Sequence, residues 1–227
     1  MKTMKLIVVT LALVPAALGL SYSTDAHACG MSVRLEPTPQ KPTPVQEIAR
    51  AEKALESGQN AVAAKAILTT FPRIRVVSAG QNPLETRALR VFALAVVRSS
   101  GAVTEKTVGV SSQAEWTPNA NVEWAVQAMR EIDAKRPNDP TVQADLGEAL
   151  SKLPHGREEA LKLLQGLAQK DLMGSPHAYA ALARLRTDKG DSAGAEAAIK
   201  RCEEMSKTPG VCRPAAPSKP MAVAAKA

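Results

Sequence analysis

Five prolines stand directly after a side chain that commonly caps a helix, and this recurring pair constrains the fold more than any other feature. The pairs are Thr43-Pro44, Asn82-Pro83, Thr117-Pro118, Asp139-Pro140 and Ser175-Pro176. A capping side chain accepts hydrogen bonds from the free amides at a helix start. Proline at the first helical position loses only an amide that has no partner inside the helix. The five pairs therefore predict the starts of five helices.

Apolar residues recur at helical spacing after these starts and predict eight helices. The predicted ranges are 44–57, 60–71, 83–99, 119–135, 140–152, 157–170, 176–188 and 192–207. Sixteen prolines exclude one long coiled coil, and the dominance of alanine and leucine over β-branched and aromatic residues argues against a β-sandwich. We expect an all-α domain over 44–207, a right-handed α-solenoid of stacked antiparallel helix pairs joined by short turns.

The first 28 residues have the pattern of a secretory signal peptide. Lys2 and Lys5 precede an apolar run over 6–20, and Ala26-His27-Ala28 supplies a small-x-small cleavage sequence. The run is shorter than the ~20 residues that span a bilayer. We therefore expect an exported protein of the periplasm or cell envelope, with a proline-rich tether over 29–43 and a disordered tail over 208–227.

Cleavage after residue 28 leaves Cys29 at the mature N-terminus, which allows two interpretations. It resembles the lipidated cysteine of bacterial lipoproteins, and acylation is then the only membrane attachment that the sequence predicts. However, the residue three positions earlier is Ala26 where lipoprotein signals usually have leucine, and this favours ordinary cleavage.

Export places the chain in an oxidising compartment, where cysteines pair. Cys202 and Cys212 flank a Thr-Pro-Gly turn signal, and we expect a disulfide that ties the tail to the last helix. The alternative is a buried Cys202 beside a free Cys212.

The C-terminal part of the chain repeats at an offset of 36 residues, which takes Asp139-Pro140 to Ser175-Pro176. This offset is close to the ~34-residue period of tetratricopeptide repeats. The last unit resembles that family at its aromatic, leucine, small, glycine, alanine, large apolar and small positions, which are Tyr179, Leu182, Ala183, Gly190, Ala195, Ile199 and Cys202. The preceding unit is similar at Leu146, Gly147, Leu150, Ala160, Leu164 and Leu167.

Residues 101–118 depart from this pattern, because a short turn is expected after the third helix. Val103, Val108 and Val110 lie there among Thr, Ser and Gly. We interpret the segment as an inserted loop or an irregular hairpin. Long loops inside repeats are often functional, although a tolerated surface insertion is the simpler interpretation. Trp116 and Trp124 are expected to pack against it.

The resemblance implies a protein–protein interaction module or scaffold that binds a peptide or a partner helix in a concave groove. Positions transferred from the matched units give a partner-binding set of Thr141, Glu148, Ser151, Lys152, His177, Arg184 and Asp188. Such a polar set suits hydrogen bonds and charge pairs to a peptide. The alternative interpretation is an ordinary solvated helical face.

Catalytic motifs are missing from the sequence. His155 and His177 do not have the spacing of a zinc pair on one helix, and no nucleophile elbow, phosphate loop or dinucleotide fingerprint occurs. We therefore expect no enzyme activity, cofactor or metal. The alternatives are an α-superhelical enzyme or small-ligand-binding protein with an unrecognised pocket, and a simple spacer. Acids and bases alternate along the helices despite a net charge of +7, so nucleic acid is not the expected partner.

Overall fold

The computed structural model describes residues 42–112, 114–208 and 210–213, and this part of the chain is all-α, without strands. Eight α-helices follow one another: α1 (Pro44–Glu56), α2 (Asn60–Thr70), α3 (Pro83–Arg98), α4 (Pro118–Lys135), α5 (Pro140–Leu150), α6 (Arg157–Gln169), α7 (Pro176–Asp188) and α8 (Ser192–Met205). Two short 3-10 helices lie at Ile74–Val76 and Pro154–Gly156. The predicted all-α fold is confirmed, and the packing of consecutive helices is consistent with the predicted solenoid. The signal peptide, Cys29 and nearly all of the tether lie outside the described residues.

All five capping pairs start helices as predicted, with proline at the beginning of α1, α3, α4, α5 and α7. Thr43 forms a complete capping box, in which its hydroxyl accepts from the Gln46 amide and the Gln46 side chain accepts from the Thr43 amide. Asn82 caps α3 by accepting from the Leu84 and Glu85 amides. Local chemistry therefore sets where these helices begin.

Consecutive helices pack against each other along the whole described chain, in the manner of a solenoid. The odd-numbered helices also contact one another in the order α1, α3, α5, α7, so that they form one continuous face of the fold. We call it the odd-helix face. At Gly147 a Cβ atom would lie 2.6 Å from a methyl carbon of Leu164. Glycine at this position therefore lets α5 and α6 approach closely.

Helix α3 is the centre of the apolar core, as its broad apolar stripe predicts. Phe92 and Val96 are fully buried there, and they belong to a core that extends from Ile48 in α1 to Cys202 in α8. No helix in the described ranges is both long and apolar enough to cross a membrane.

The inserted segment is an ordered loop anchored by a buried asparagine. Asn121 in α4 donates from its side-chain amide to the main-chain oxygens of Gly101 and Val103, at 2.9 and 2.6 Å. Gly101 has a φ of +81°, and a Cβ there would lie 2.0 Å from the Pro118 carbonyl oxygen. Only glycine fits this close approach without displacing the start of α4.

A second anchor of the loop is the ion pair of Arg75 with Glu105, whose side chains are both almost completely buried. The Arg75 guanidinium lies 4.2 Å from the ring centre of Trp116 and 4.4 Å from that of Trp124. It also lies 4.9 Å from the ring of Phe92. Both tryptophans therefore pack between the loop and the core, as the sequence predicts, and their cage is filled by the protein's own arginine.

The chain after α8 turns back across the odd-helix face. Cys202 and Cys212 form a disulfide with a Cα–Cα distance of 5.7 Å, as the sequence predicts. Between them the Thr208 hydroxyl donates to the Glu56 carbonyl oxygen at the end of α1, at 3.1 Å. We call residues 206–208 and 210–213 the strap. Part of the predicted tail thus packs on the fold, and its remainder, residues 209 and 214–227, lies outside the described residues.

Candidate functional site

The odd-helix face holds two cavities that are both bordered by the strap. The first has a volume of about 430 Å³ and lies between α1, α3, α5 and the start of α7. Its polar lining includes Glu52, Arg90, Thr141, Asp145 and His177. Together with the second cavity it forms a groove along the odd-helix face. This groove is the candidate partner-binding site.

The second cavity has a volume of about 380 Å³ and lies between α3, α5, α7 and the strap. Its charged lining consists of Arg98, Glu148, Lys152, Arg184 and Arg213, and His177 is shared with the first cavity. Residues that are far apart in the sequence therefore meet in one polar space. Four of the seven positions transferred from the repeat pattern, Glu148, Lys152, His177 and Arg184, line it.

Three ion pairs join neighbouring helices of the odd-helix face. The Arg98 guanidinium makes two hydrogen bonds to the Glu148 carboxylate, at 3.0 and 3.1 Å, and thereby ties α3 to α5. Arg90 donates to Asp145 at 2.6 Å between the same helices. Arg87 binds Glu52 through both carboxylate oxygens and connects α3 to α1. Bidentate pairs of this kind fix orientation, so they hold the groove helices in register.

The pKa values of the two acids of α5 shift in opposite directions, although burial acts on both in the same direction. Burial raises the pKa of Asp145 to about 6, because desolvation outweighs the attraction of Arg90 and the nearby Glu148 charge adds to the effect. Burial also disfavours ionised Glu148, yet the charge and hydrogen bonds of Arg98 hold its pKa below the ordinary value. Glu148 is therefore the permanent anion of the pair, and Asp145 is the acid that takes up a proton.

The basic groups of the second cavity are crowded. Burial lowers the pKa of His177 to about 4, and the positive charge of Arg98 acts in the same direction. Burial also lowers the pKa of Lys152, assisted by the positive charge of Arg184. At neutral pH the imidazole is consequently neutral, and the positive charge belongs to Arg98, Lys152, Arg184 and Arg213.

The remaining transferred positions lie at the borders of the groove or away from it. Thr141 is exposed and lines the first cavity. Ser151 donates to the Glu148 carbonyl oxygen at 2.6 Å and lines neither cavity. Asp188 is half exposed and pairs with Arg157 at 3.2 Å, so its carboxylate already has a partner. Among the transferred positions, Glu148 is almost completely buried. Its carboxylate holds Arg98 in place and is not itself exposed to a partner.

Arg90, Arg98 and the strap belong to this site but were not predicted from the sequence. A signal was present, because Arg90 and Arg98 are two helical turns apart in an otherwise apolar stripe. Asp145 and Glu148 lie one turn apart in the equally apolar α5. Charged residues on buried faces need partners. Their pairing across two helices was thus open to prediction, whereas the path of the strap depends on tertiary contacts alone.

The arrangement suits binding by charge and hydrogen bonds. Among the described residues, no group of three or more histidine, cysteine or acidic side chains is placed to hold a metal ion. The comparisons with known proteins give no family, since no family model, curated protein or solved structure matches the chain. The described residues define an all-α protein whose consecutive helices pack against one another, and its function is argued from the groove on the odd-helix face.

Proposed function

We propose that this chain is a tetratricopeptide-like protein–protein interaction module of the bacterial cell envelope. In this proposal the groove of the odd-helix face binds a peptide or a helix of a partner protein. The observation that carries the proposal is the groove itself, where side chains from four helices and the strap line two adjoining cavities. Stacked helix pairs are used in this way because their inner helices present one continuous surface.

The electrostatics of the groove support a rigid binding surface. Arg87, Arg90 and Arg98 are each paired with an acidic side chain of the groove. These carboxylates are therefore already bound and do not compete with a ligand for the cations of the groove. A preformed groove loses little conformational entropy when a partner binds, because its side chains are already ordered. Thr141 and Arg184 are then the accessible groups that contact the partner.

Export of the protein is the second part of the proposal. The Cys202–Cys212 disulfide supports an oxidising compartment, and the signal-peptide pattern of residues 1–28 supports secretion. Mass spectrometry of the mature N-terminus tests both export and attachment to the membrane through a lipid. An acylated Cys29 indicates a lipid anchor, a free Cys29 indicates ordinary cleavage, and an intact Met1 contradicts export.

The groove is tested by affinity purification from the cell envelope with one charge-reversal variant and one matched control. Arg184→Glu reverses a charge in the groove. Lys162→Glu makes the same change in charge at an exposed position of α6 that lies outside the groove. Glu148 is unsuitable for reversal, since its replacement leaves Arg98 buried without a partner. We expect a partner that is recovered with the wild type and with Lys162→Glu, and that is lost with Arg184→Glu. Equal recovery with all three chains contradicts the groove.

A further inference from the structure

We infer that the second cavity binds the carboxylates of an acidic segment of the partner protein. This inference rests on the proposed function and specifies the partner's chemistry. Within the described part of the chain, Lys152, Arg184 and Arg213 have no carboxylate oxygen within 4.0 Å, although all three line the cavity. Arg98 uses Glu148. The lining therefore carries an excess of three positive charges around one cavity.

The chain's own acids do not neutralise this excess. Asp188, the acid nearest to Arg184 along α7, is paired with Arg157 of α6. Lys152 makes a long contact of 3.4 Å to the Ser100 hydroxyl, which carries no charge. Crowding cations in a partly desolvated space is costly, as the lowered pKa of Lys152 reflects. A bound anion offsets this cost and gains charge-assisted hydrogen bonds.

The position of the cations favours several carboxylates over one compact anion. Lys152 lies just after α5, Arg184 in α7 and Arg213 in the strap, so the positive charges of the cavity come from three separate elements. The first cavity adjoins it along the same face, and both share His177. A peptide with consecutive acidic side chains can place its carboxylates in the second cavity, where the unpaired cations lie.

The inference is tested with fluorescein-labelled hexaglutamate and hexaglutamine, whose binding to the purified chain is followed by fluorescence anisotropy at 0.15 M salt. Lys152→Gln and Arg184→Gln remove one cavity charge each. Lys162→Gln removes one charge outside the groove and controls for the general attraction of a basic protein. We expect hexaglutamate to bind about tenfold more weakly to each cavity variant, which is the loss of one charge-assisted bond. The control variant should bind as the wild type does.

A second readout locates the bound peptide. The proton signals of His177 and His155 are titrated by NMR with and without hexaglutamate. A carboxylate in the cavity raises the pKa of His177 from about 4, whereas exposed His155 reports any change elsewhere. An unchanged His177 titration overturns the inference, as does hexaglutamate binding that both cavity variants retain or that Lys162→Gln weakens equally.

Other ligands separate this inference from the proposed function. Inorganic phosphate that changes the His177 titration while hexaglutamate does not bind identifies a small-anion site and overturns the acidic-segment assignment. A third outcome is a partner whose binding needs Arg184 but is inhibited by hexaglutamine as well as by hexaglutamate. This result supports the groove as the binding site and overturns its preference for acidic side chains. Absence of both hexaglutamate binding and partner recovery in the wild-type chain contradicts the groove itself.

Discussion

Asp145 and His177 are expected to change protein stability with pH in opposite directions, and each effect becomes visible when the other group is removed. The folded pKa of Asp145 is about 6, above its unfolded value near 4, so the native state binds the extra proton between these pH values. Its contribution to stability is present at low pH and is lost as the pH rises from 4 to 6. The folded pKa of His177 is about 4, below its unfolded value near 6.5. Its neutral native form is destabilised at low pH, and this penalty disappears as the pH rises to 6.5.

The size of both effects follows from the shifts, at about 1.4 kcal/mol per pKa unit. A shift of two units or slightly more gives about 3 kcal/mol for each group, and the two contributions nearly cancel in the wild type. In the Asp145→Asn variant only the His177 contribution remains. The unfolding free energy of this variant should therefore rise by about 3 kcal/mol relative to the wild type between pH 4 and 6. The unfolding free energy of the His177→Gln variant should fall by a similar amount relative to the wild type over the same pH range.

The assay is urea unfolding followed by circular dichroism at 222 nm, at pH 4, 5, 6 and 7. Each variant is compared with the wild type at the same pH, so that the other acids of the chain cancel. Constant m-values show that the variants unfold from equally compact states. A difference between variant and wild type that does not change with pH refutes the burial argument for that residue.

The remaining predictions concern the structural devices that shape the groove. Glu148→Ala leaves Arg98 buried without a partner and should cost about 3–5 kcal/mol in urea unfolding, whereas the double variant Arg98→Met with Glu148→Leu should recover most of the loss. An equal loss in both proteins contradicts the pairing argument. Gly101→Ala forces a Cβ against a main-chain oxygen of α4 and should lower the thermal midpoint by several degrees, which calorimetry measures. Replacing Cys202 and Cys212 by serine should cost about 3 kcal/mol. It should also make the strap a site of rapid tryptic cleavage, and persistent protease resistance shows that the strap is held without the disulfide.

The helices were predictable because their signals are local. A capping residue, a proline at the first helical position and apolar residues at helical spacing act within one or two turns. The observed helix bounds accordingly agree with the predicted ones to within two residues. The Cys202–Cys212 bond was also predictable, since its two cysteines flank one short turn.

The site was only partly predictable because it depends on contacts between distant elements. Arg98 and Glu148 are fifty residues apart, and Arg75 and Glu105 are thirty apart. A sequence shows that such charges need partners, but it does not show which partner the packing supplies. The strap is the clearest case, since nothing local places Thr208 beside the end of α1.

Site-specific photo-crosslinking in intact cells tests the central claim, that the odd-helix face receives a partner protein. One chain carries a photoreactive side chain at Thr141, which is exposed in the groove, and the control carries it at Lys162 on α6. The account predicts one crosslinked envelope protein from Thr141 and none from Lys162. Crosslinking from Lys162 alone, or the same products from both positions, contradicts it.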